Sequence, residues 1–233
     1  MPLTSPSPRA RPRRTALAIC ALATLTACSI PPAPVGPDEH RRAASASGSP
    51  GSGRHLAVTL TFDDGLASQE AAVELLRRYG LTATFYIPSG LLGREGRMTA
   101  DRVRRLAAAG HEIGGHTRTH ARLTELPLDA RRRQLCDDRA ALTALTGTDI
   151  RSVAYPYDAT DPATERLARE CGFRHTRPRA ALTVLDTTTP ATLRHHATKG
   201  GTFVFHKICQ APCGRYAIDP KVLADFLTWL TAR

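Results

Sequence analysis

Two adjacent carboxylates, Asp63 and Asp64, close an apolar run from Ala57 to Phe62, and Gly65 follows them directly. A strand-like run that stops in paired acids puts two carboxyl groups at a strand's carboxyl end, where one can hold a cation while the other stays free as a base. Neighbouring strand side chains point to opposite faces, so the two acids are expected to separate rather than form one cluster. On its own, Asp-Asp-Gly reads as a polar turn. His116 and His120 change that reading: they stand four residues apart, and both imidazoles share one face if the segment coils into a helical turn. Two imidazoles and the Asp64 carboxylate make a facial triad that leaves positions open for water and substrate. Such a set suits zinc first, and cobalt, nickel or iron less specifically. Further on, Thr202-Phe203-Val204-Phe205 delivers His206 as the first run delivers Asp63.

Thr61-Phe62-Asp63-Asp64-Gly65 together with Gly110 to His120 resembles, in order and spacing, the first two motifs of the carbohydrate esterase family 4 polysaccharide deacetylases, the nodulation-protein-B homology domain. The resemblance implies Asp63 as catalytic base and Asp64, His116 and His120 as metal ligands. Ala154-Tyr155-Pro156-Tyr157 resembles a variant of the third motif, whose backbone N–H at Tyr157 inherits oxyanion stabilisation. Ala154 stands where the family has an arginine that orients the base, which leaves open what holds Asp63. The fourth motif, an aspartate that orients the catalytic histidine, has no clear counterpart; Asp186 is the sole acid between Gly172 and Thr202. Phe203-Val204-Phe205-His206 is similar to the fifth motif, making His206 the general acid, with Pro156, Phe203 and Phe205 expected to line a small substrate pocket for the acetyl group.

The elements that must position these residues alternate. After the strand at 57–62, Ala67 to Tyr79 has apolar residues at helical spacing and stops at Gly80; Ala83 to Ile87 reads as a strand, Thr99 or Ala100 to Ala109 as a helix, and His111 to Gly114 as a third strand. Asp161-Pro162 opens a helix to Cys171, with a short strand at 173–176, and Asp219-Pro220 opens the last helix, to Leu230. Alternating strands and helices with polar residues at the strand ends predict an α/β fold, a barrel or a doubly wound sheet. The resemblance narrows this to a distorted (β/α) barrel with its site at the carboxyl ends of the strands. His195-His196 reads as a solvated pair.

The first 27 residues hold Arg9, Arg11, Arg13 and Arg14, no acid, and an apolar run from Ala16 to Ala27 too short for a permanent membrane helix. This predicts a secretory signal, and Leu25-Thr26-Ala27-Cys28 resembles a lipobox, making Cys28 the lipidation site and the protein exported and anchored on the outer face of the bacterial cell membrane. Residues 28–54 are rich in Pro, Ser, Gly and Ala and read as a tether; 55–233 is the expected catalytic domain. The formal charge of +11 falls to +7 once the four leader arginines are removed, 28 basic against 21 acidic residues, which suits an anionic envelope. No zinc-finger spacing or aromatic-interleaved basic platform points to nucleic acid. Cys136, Cys171, Cys209 and Cys213 remain for an oxidising compartment; of three pairings, Cys209–Cys213 and Cys136–Cys171 are favoured. The sequence therefore predicts a monomeric, metal-dependent enzyme that removes N-acetyl groups from an envelope or extracellular polysaccharide. The alternatives are an envelope-tethered glycan-binding protein that keeps the fold, and an esterase acting on O-acetyl groups of xylan-like glycans.

Overall fold

The structure is a computed structural model, described for residues 57–233 except Ala211. The predicted signal (1–27), Cys28 and the tether (28–54) lie outside the described residues.

Strand β1 (Val58–Phe62) is the hinge of the architecture. It is followed by α1 (Glu70–Arg78), β2 (Thr84–Ile87), α2 (Ala100–Ala108), β3 (Glu112–Gly115), α3 (Leu128–Thr146), β4 (Ser152–Val153), α4 (Pro162–Glu170) and β5 (His175–Thr176). Then come β6 (Leu182–Thr183), α5 (Pro190–Thr198), β7 (Gly201–Phe205), β8 (Lys207–Ile208), β9 (Ala217–Ile218) and α6 (Pro220–Thr231). The first seven strands form one sheet in the order β5-β4-β3-β2-β1-β7-β6, and every pairing is parallel. Parallel pairing sends each connection back across the sheet as a helix or loop, so all carboxyl ends gather along one rim. The sheet is a curled half-barrel, the distorted (β/α) barrel expected from the sequence, and β8 pairs only with β9.

Helix starts follow their caps. Thr99, Asp161 and Thr189 each accept a hydrogen bond from the backbone N–H three residues on, and Asp219 from Lys221 N, at the starts of α2, α4, α5 and α6. Proline fills the first turn of the last three. The core is aromatic where β1 and β7 meet: Phe62 stacks on Phe85 at 4.9 Å and on Phe205 at 5.1 Å, and Phe203 meets Phe226 of α6 at 5.0 Å. In register, Leu60 faces Phe203 and Phe62 faces Phe205, while Thr61 faces Val204. Phe203 and Phe205 are therefore wholly buried in the core and do not line a substrate pocket as the sequence reading had them. The period of two decides this: the residues that share a face with His206 are Val204 and, across the pairing, Thr61.

Two helices, α3 and α5, and the two-residue strands β6, β8 and β9 were not foreseen. Helix α3 is long and largely polar, with Arg131 to Arg133 and Asp137 to Arg139 masking its apolar period. Helix α5 carries His195 and His196, and His196 is packed rather than solvated, its ring edge-on to Phe203 at 4.9 Å and its Nε2 3.3 Å from Thr202 O.

Candidate metal and acyl-transfer site

A cleft of about 440 Å³ opens at the rim where β1, β3, β5 and β7 end; among its lining residues are Asp63, Asp64, His116, His120, Tyr157, Arg177, Val204 and His206. Asp63 continues β1, its N–H donating to Phe205 O at 2.9 Å. Asp64 then takes a left-handed backbone, φ +76°, and so turns into the same cleft instead of the opposite face. Arg97 supports that turn by donating to Asp64 O at 2.5 Å, and Met98 N–H donates to Gly65 O at 2.8 Å. The separation expected of neighbouring strand residues fails because the strand has ended at Phe62.

The two histidines reach Asp64 without a helix. Thr117 and His120 have φ of +61° and +59°, so a twisted loop, not a helical turn, brings the rings to 5.0 Å. His116 Nε2 lies 3.4 Å and His120 Nε2 2.9 Å from Asp64 Oδ1. One ligand atom from each residue lies within 4.8 Å of the other two. His116 Nδ1 is 2.7 Å from Ala154 O; since a carbonyl only accepts, Nδ1 carries the proton and Nε2 turns its lone pair to the cleft. Asp64 Oδ1 is buried and accepts no hydrogen bond among the described residues. A buried carboxylate oxygen without a donor, facing imidazole nitrogens, is the donor set a divalent cation takes. Burial alone would raise the Asp64 carboxyl, but His116 and His120 outweigh it and hold it far below the usual carboxylate range. Burial likewise pushes His116 down, and the Asp64 and Asp63 carboxylates more than offset this, so its net direction is up. A cation held here would compete with that proton.

His116 is fixed from behind. Asp138 of α3, wholly buried, accepts from Ser89 N–H at 2.8 Å on one oxygen and from His116 N–H at 2.9 Å on the other. Burial raises its carboxyl to about 6 despite those two bonds. Gly115 makes room for it: a Cβ there would stand 3.0 Å from Asp138 Oδ2 and 2.7 Å from the Phe173 ring. Gln134 of α3 pins the rest of the loop, its carbonyl accepting from Arg118 N–H at 2.9 Å and its side chain from Thr119 N–H at 3.0 Å.

What holds Asp63 is Arg177, a residue the sequence reading did not single out. From the end of β5 its guanidinium donates to Asp63 Oδ2 through Nη1 and to Asp158 Oδ1 through Nη2, the latter at 3.0 Å. Both Asp63 and Arg177 are almost fully buried. Burial lowers the affinity of Arg177 for its proton, and the two carboxylates more than restore it. Asp158 follows Tyr157 in a turn where both residues have positive φ, +61° and +51°, and Tyr157 stands exposed at the rim. Pro156 is buried beneath that turn and does not reach the cleft.

His206 completes the cleft. Gln69, fully buried, spans the ends of β1 and β7 by donating from Nε2 to Asp63 O at 2.5 Å and to His206 O at 3.0 Å. The His206 ring lies 5.3 Å from that of Tyr216. Among the described residues its buried Nδ1 has no hydrogen-bond partner, so no carboxylate of theirs orients it; Asp186 donates its backbone N–H to Arg215 O and lines a different cavity. Burial shifts His206 toward its neutral form, partly opposed by Asp63 and Asp64. The structure bonds Cys136 to Cys171, tying α3 to the end of α4, and Cys209 to Cys213 in the loop after His206.

A parallel half-barrel with an Asp-His-His cluster at its carboxyl rim defines an α/β protein with a candidate metal site. A sequence model of the polysaccharide deacetylase family matches residues 51–176, more than half of the chain, and the chain belongs to that family. It is 33% identical over 102 residues to a peptidoglycan-N-acetylglucosamine deacetylase of Bacillus cereus, covering 43% of this chain and 36% of that protein. To a chitin deacetylase of Pestalotiopsis sp it is 35% identical over 103 residues, 44% and 34% of the two chains. The chain thus spans less than half the length of the curated relatives it matches. Its fold is that of a family 4 acetyl xylan esterase from Clostridium thermocellum in complex with a cobalt ion, at a TM-score of 0.62, 22% identity, and coverage of 76% of this chain and 84% of that one. A CE4 family pseudoenzyme from Bacillus anthracis superposes equally well, at a TM-score of 0.61, 19% identity and coverage of 77% and 62%.

Proposed function

We propose that this protein is a metal-dependent deacetylase that hydrolyses N-acetyl groups on an envelope or extracellular polysaccharide of the peptidoglycan or poly-N-acetylglucosamine type. The observation that carries this reading is a buried carboxylate, Asp63, clamped by Arg177 beside the Asp64-His116-His120 cluster and in one cleft with His206. A divalent cation, zinc in our reading, held by Asp64, His116 and His120 supplies Lewis acidity to the acetyl carbonyl and to water. Asp63 accepts the proton of the attacking water, and Arg177 keeps its Oδ2 engaged so that Oδ1, which has no hydrogen-bond partner among the described residues, is the oxygen free to take it. Tyr157 N–H donates to the developing oxyanion, and His206 gives a proton to the departing amine. The products are acetate and a glycan with a free amine.

The orphaned Nδ1 of His206 favours one second reading, an O-acetyl esterase. An alkoxide is a far better leaving group than an amide anion, so an ester asks less of a histidine that nothing orients. A fold kept without turnover, as a glycan-binding protein, is disfavoured by Asp63 and His206, which metal binding does not require. We also propose that residues 1–27 export the chain, that Cys28 is lipidated, and that the domain acts as a monomer at the outer face of the cell membrane. Acetate release from N-acetylated glycans, abolished by a chelator and restored by zinc, tests the function. Release from O-acetylated xylan alone would select the esterase, and metal binding without any release the binding protein. Labelling with a radioactive fatty acid, lost in Cys28→Ser, tests the anchor.

A further inference from the structure

Three large apolar side chains are exposed among the described residues, and two of them, Tyr157 and Tyr216, stand at the proposed active site. Their placement is matched. The Tyr157 ring packs edge-on to His120 at 4.9 Å, with the Arg122 guanidinium 4.3 Å from its centroid. Beside the other histidine of the cleft, Tyr216 lies 5.3 Å from His206, with the Arg215 guanidinium 5.8 Å from its centroid. Tyr216 is held there by the loop after His206, whose Cys209–Cys213 bond and backbone pairing of Lys207 N–H to Tyr216 O at 3.0 Å give it shape. A second cavity of about 310 Å³ continues from the first along this loop, sharing Asp64, His206 and Tyr216 and adding Lys207 and Arg215. An exposed tyrosine face stacks on the C–H face of a sugar, because the ring offers apolar area at small entropic loss while its hydroxyl stays wet.

The charges at the two ends are unequal to those at the centre. Arg177 engages both Asp63 and Asp158, and Asp64 belongs to the ligand cluster. At the rims, Arg122 has an exposed partner in Glu125 at 3.3 Å, whereas Arg215 and Lys207 make no ion pair among the described residues. The cleft therefore presents acids where the reacting group sits and cations with aromatic faces at two places on its lining, beside His120 and beside His206.

We propose that Arg122–Tyr157 and Arg215–Tyr216 are subsites for the sugars flanking the reacting one, and that they select a glycan whose neighbouring sugars carry carboxylates over a neutral homopolymer. This rests on the deacetylase reading and names its substrate class: an N-acetylated amino sugar alternating with an acid-bearing one. Two exposed ion pairs together favour the anionic strand by roughly fivefold to tenfold in affinity, less in high salt.

The test uses the zinc-loaded full chain carrying Asp63→Asn, so that binding is read without turnover. Calorimetry compares a β-1,4 N-acetylglucosamine oligomer with an equally long strand alternating N-acetylglucosamine and N-acetylmuramic acid, stripped of peptide to free its lactyl carboxylates. The expected affinity ratio favours the anionic strand, collapses to near one in R122Q/R215Q, and is retained in R122K/R215K. A ratio near one before the rim arginines are changed, or one that survives R122Q/R215Q, would overturn the proposal. Acetate release by the unmutated chain is read separately: absent release with the ratio intact supports the subsites and removes the deacetylase, while release with no ratio removes the subsites alone.

Discussion

Arg177 reaches Asp63 across 114 residues of sequence, and this contact is what the chain has in place of an arginine at position 154. No local signal marks it, since it is one of 32 lysines and arginines and follows a two-residue strand. The same holds for Asp138, visible in sequence only as one acid in a charged helix. Asp63, Asp64 and His206 were legible because each ends a run of apolar residues, and His116 and His120 because their spacing is a ligand spacing. Phe203 and Phe205 were expected in the pocket from the likeness to the fifth motif, whereas they alternate with His206 along β7 and so face the core. Arg177→Lys keeps the charge but loses the two-pronged fork, so kcat is expected to fall about 10- to 100-fold with KM little changed, read by steady-state acetate release. An unchanged kcat would show that Asp63 is held by other means. Asp138→Asn cannot accept from both Ser89 N–H and His116 N–H, so zinc affinity is expected to drop on the order of 10- to 100-fold in a competition titration with a chromophoric chelator.

At the scale of elements, the alternation of strands and helices was readable from β1 to β3, where periodicity is clean and glycines end the helices, and again at α4, β5, β7 and α6, where caps and apolar runs mark the ends. It fades where charge crowds the helix, as in α3, or where strands shrink to two residues without an apolar run, as in β6, β8 and β9. Those short strands hold their place because tertiary contacts fix them. Helix α4 shows how: Asp161 caps it through Thr164 N–H at 2.8 Å and pairs with Arg131 of α3 at 2.6 Å, and Arg131 also donates to Leu126 O and Thr164 Oγ1. The Thr164 bond first, and Arg131 second, lower the Asp161 carboxyl from 3.8 to about 2. Its folded-state affinity for a proton is depressed, so its stabilisation is present above pH 3.8 and lost as pH falls through about 2. Asp161→Asn is expected to unfold more readily at neutral pH and to show a shallower loss of stability between those two values, measured by urea titration at each pH. An identical acid profile would mean the carboxylate's charge contributes nothing, since an asparagine oxygen can still accept from Thr164 N–H.

Over the whole molecule, the half-barrel leaves its carboxyl rim open, and both disulfides stand where the rim needs support. Cys136–Cys171 closes a separation of 35 residues and joins the helix that carries Asp138 to the helix that leads into Arg177. Replacing both cysteines with alanine is expected to cost about 3–4 kcal/mol by chain entropy, read as a lower urea midpoint with a somewhat steeper slope, since the uncrosslinked unfolded chain exposes more surface. Cys209–Cys213 closes only four residues, and its loss is expected to act on Tyr216 and glycan affinity more than on global stability.

The central claim is that Asp63 is the base of a metal-dependent deacetylase. The most direct measurement is acetate release from N-acetylated peptidoglycan and from β-1,4- and β-1,6-linked N-acetylglucosamine oligomers by the zinc-loaded protein, beside Asp63→Asn carrying the same zinc. Release by the first, reduced by on the order of a thousandfold or more in the second, is the predicted result. Equal release by both would contradict the role of Asp63, and zinc bound with no release from any of the glycans would contradict the deacetylase itself.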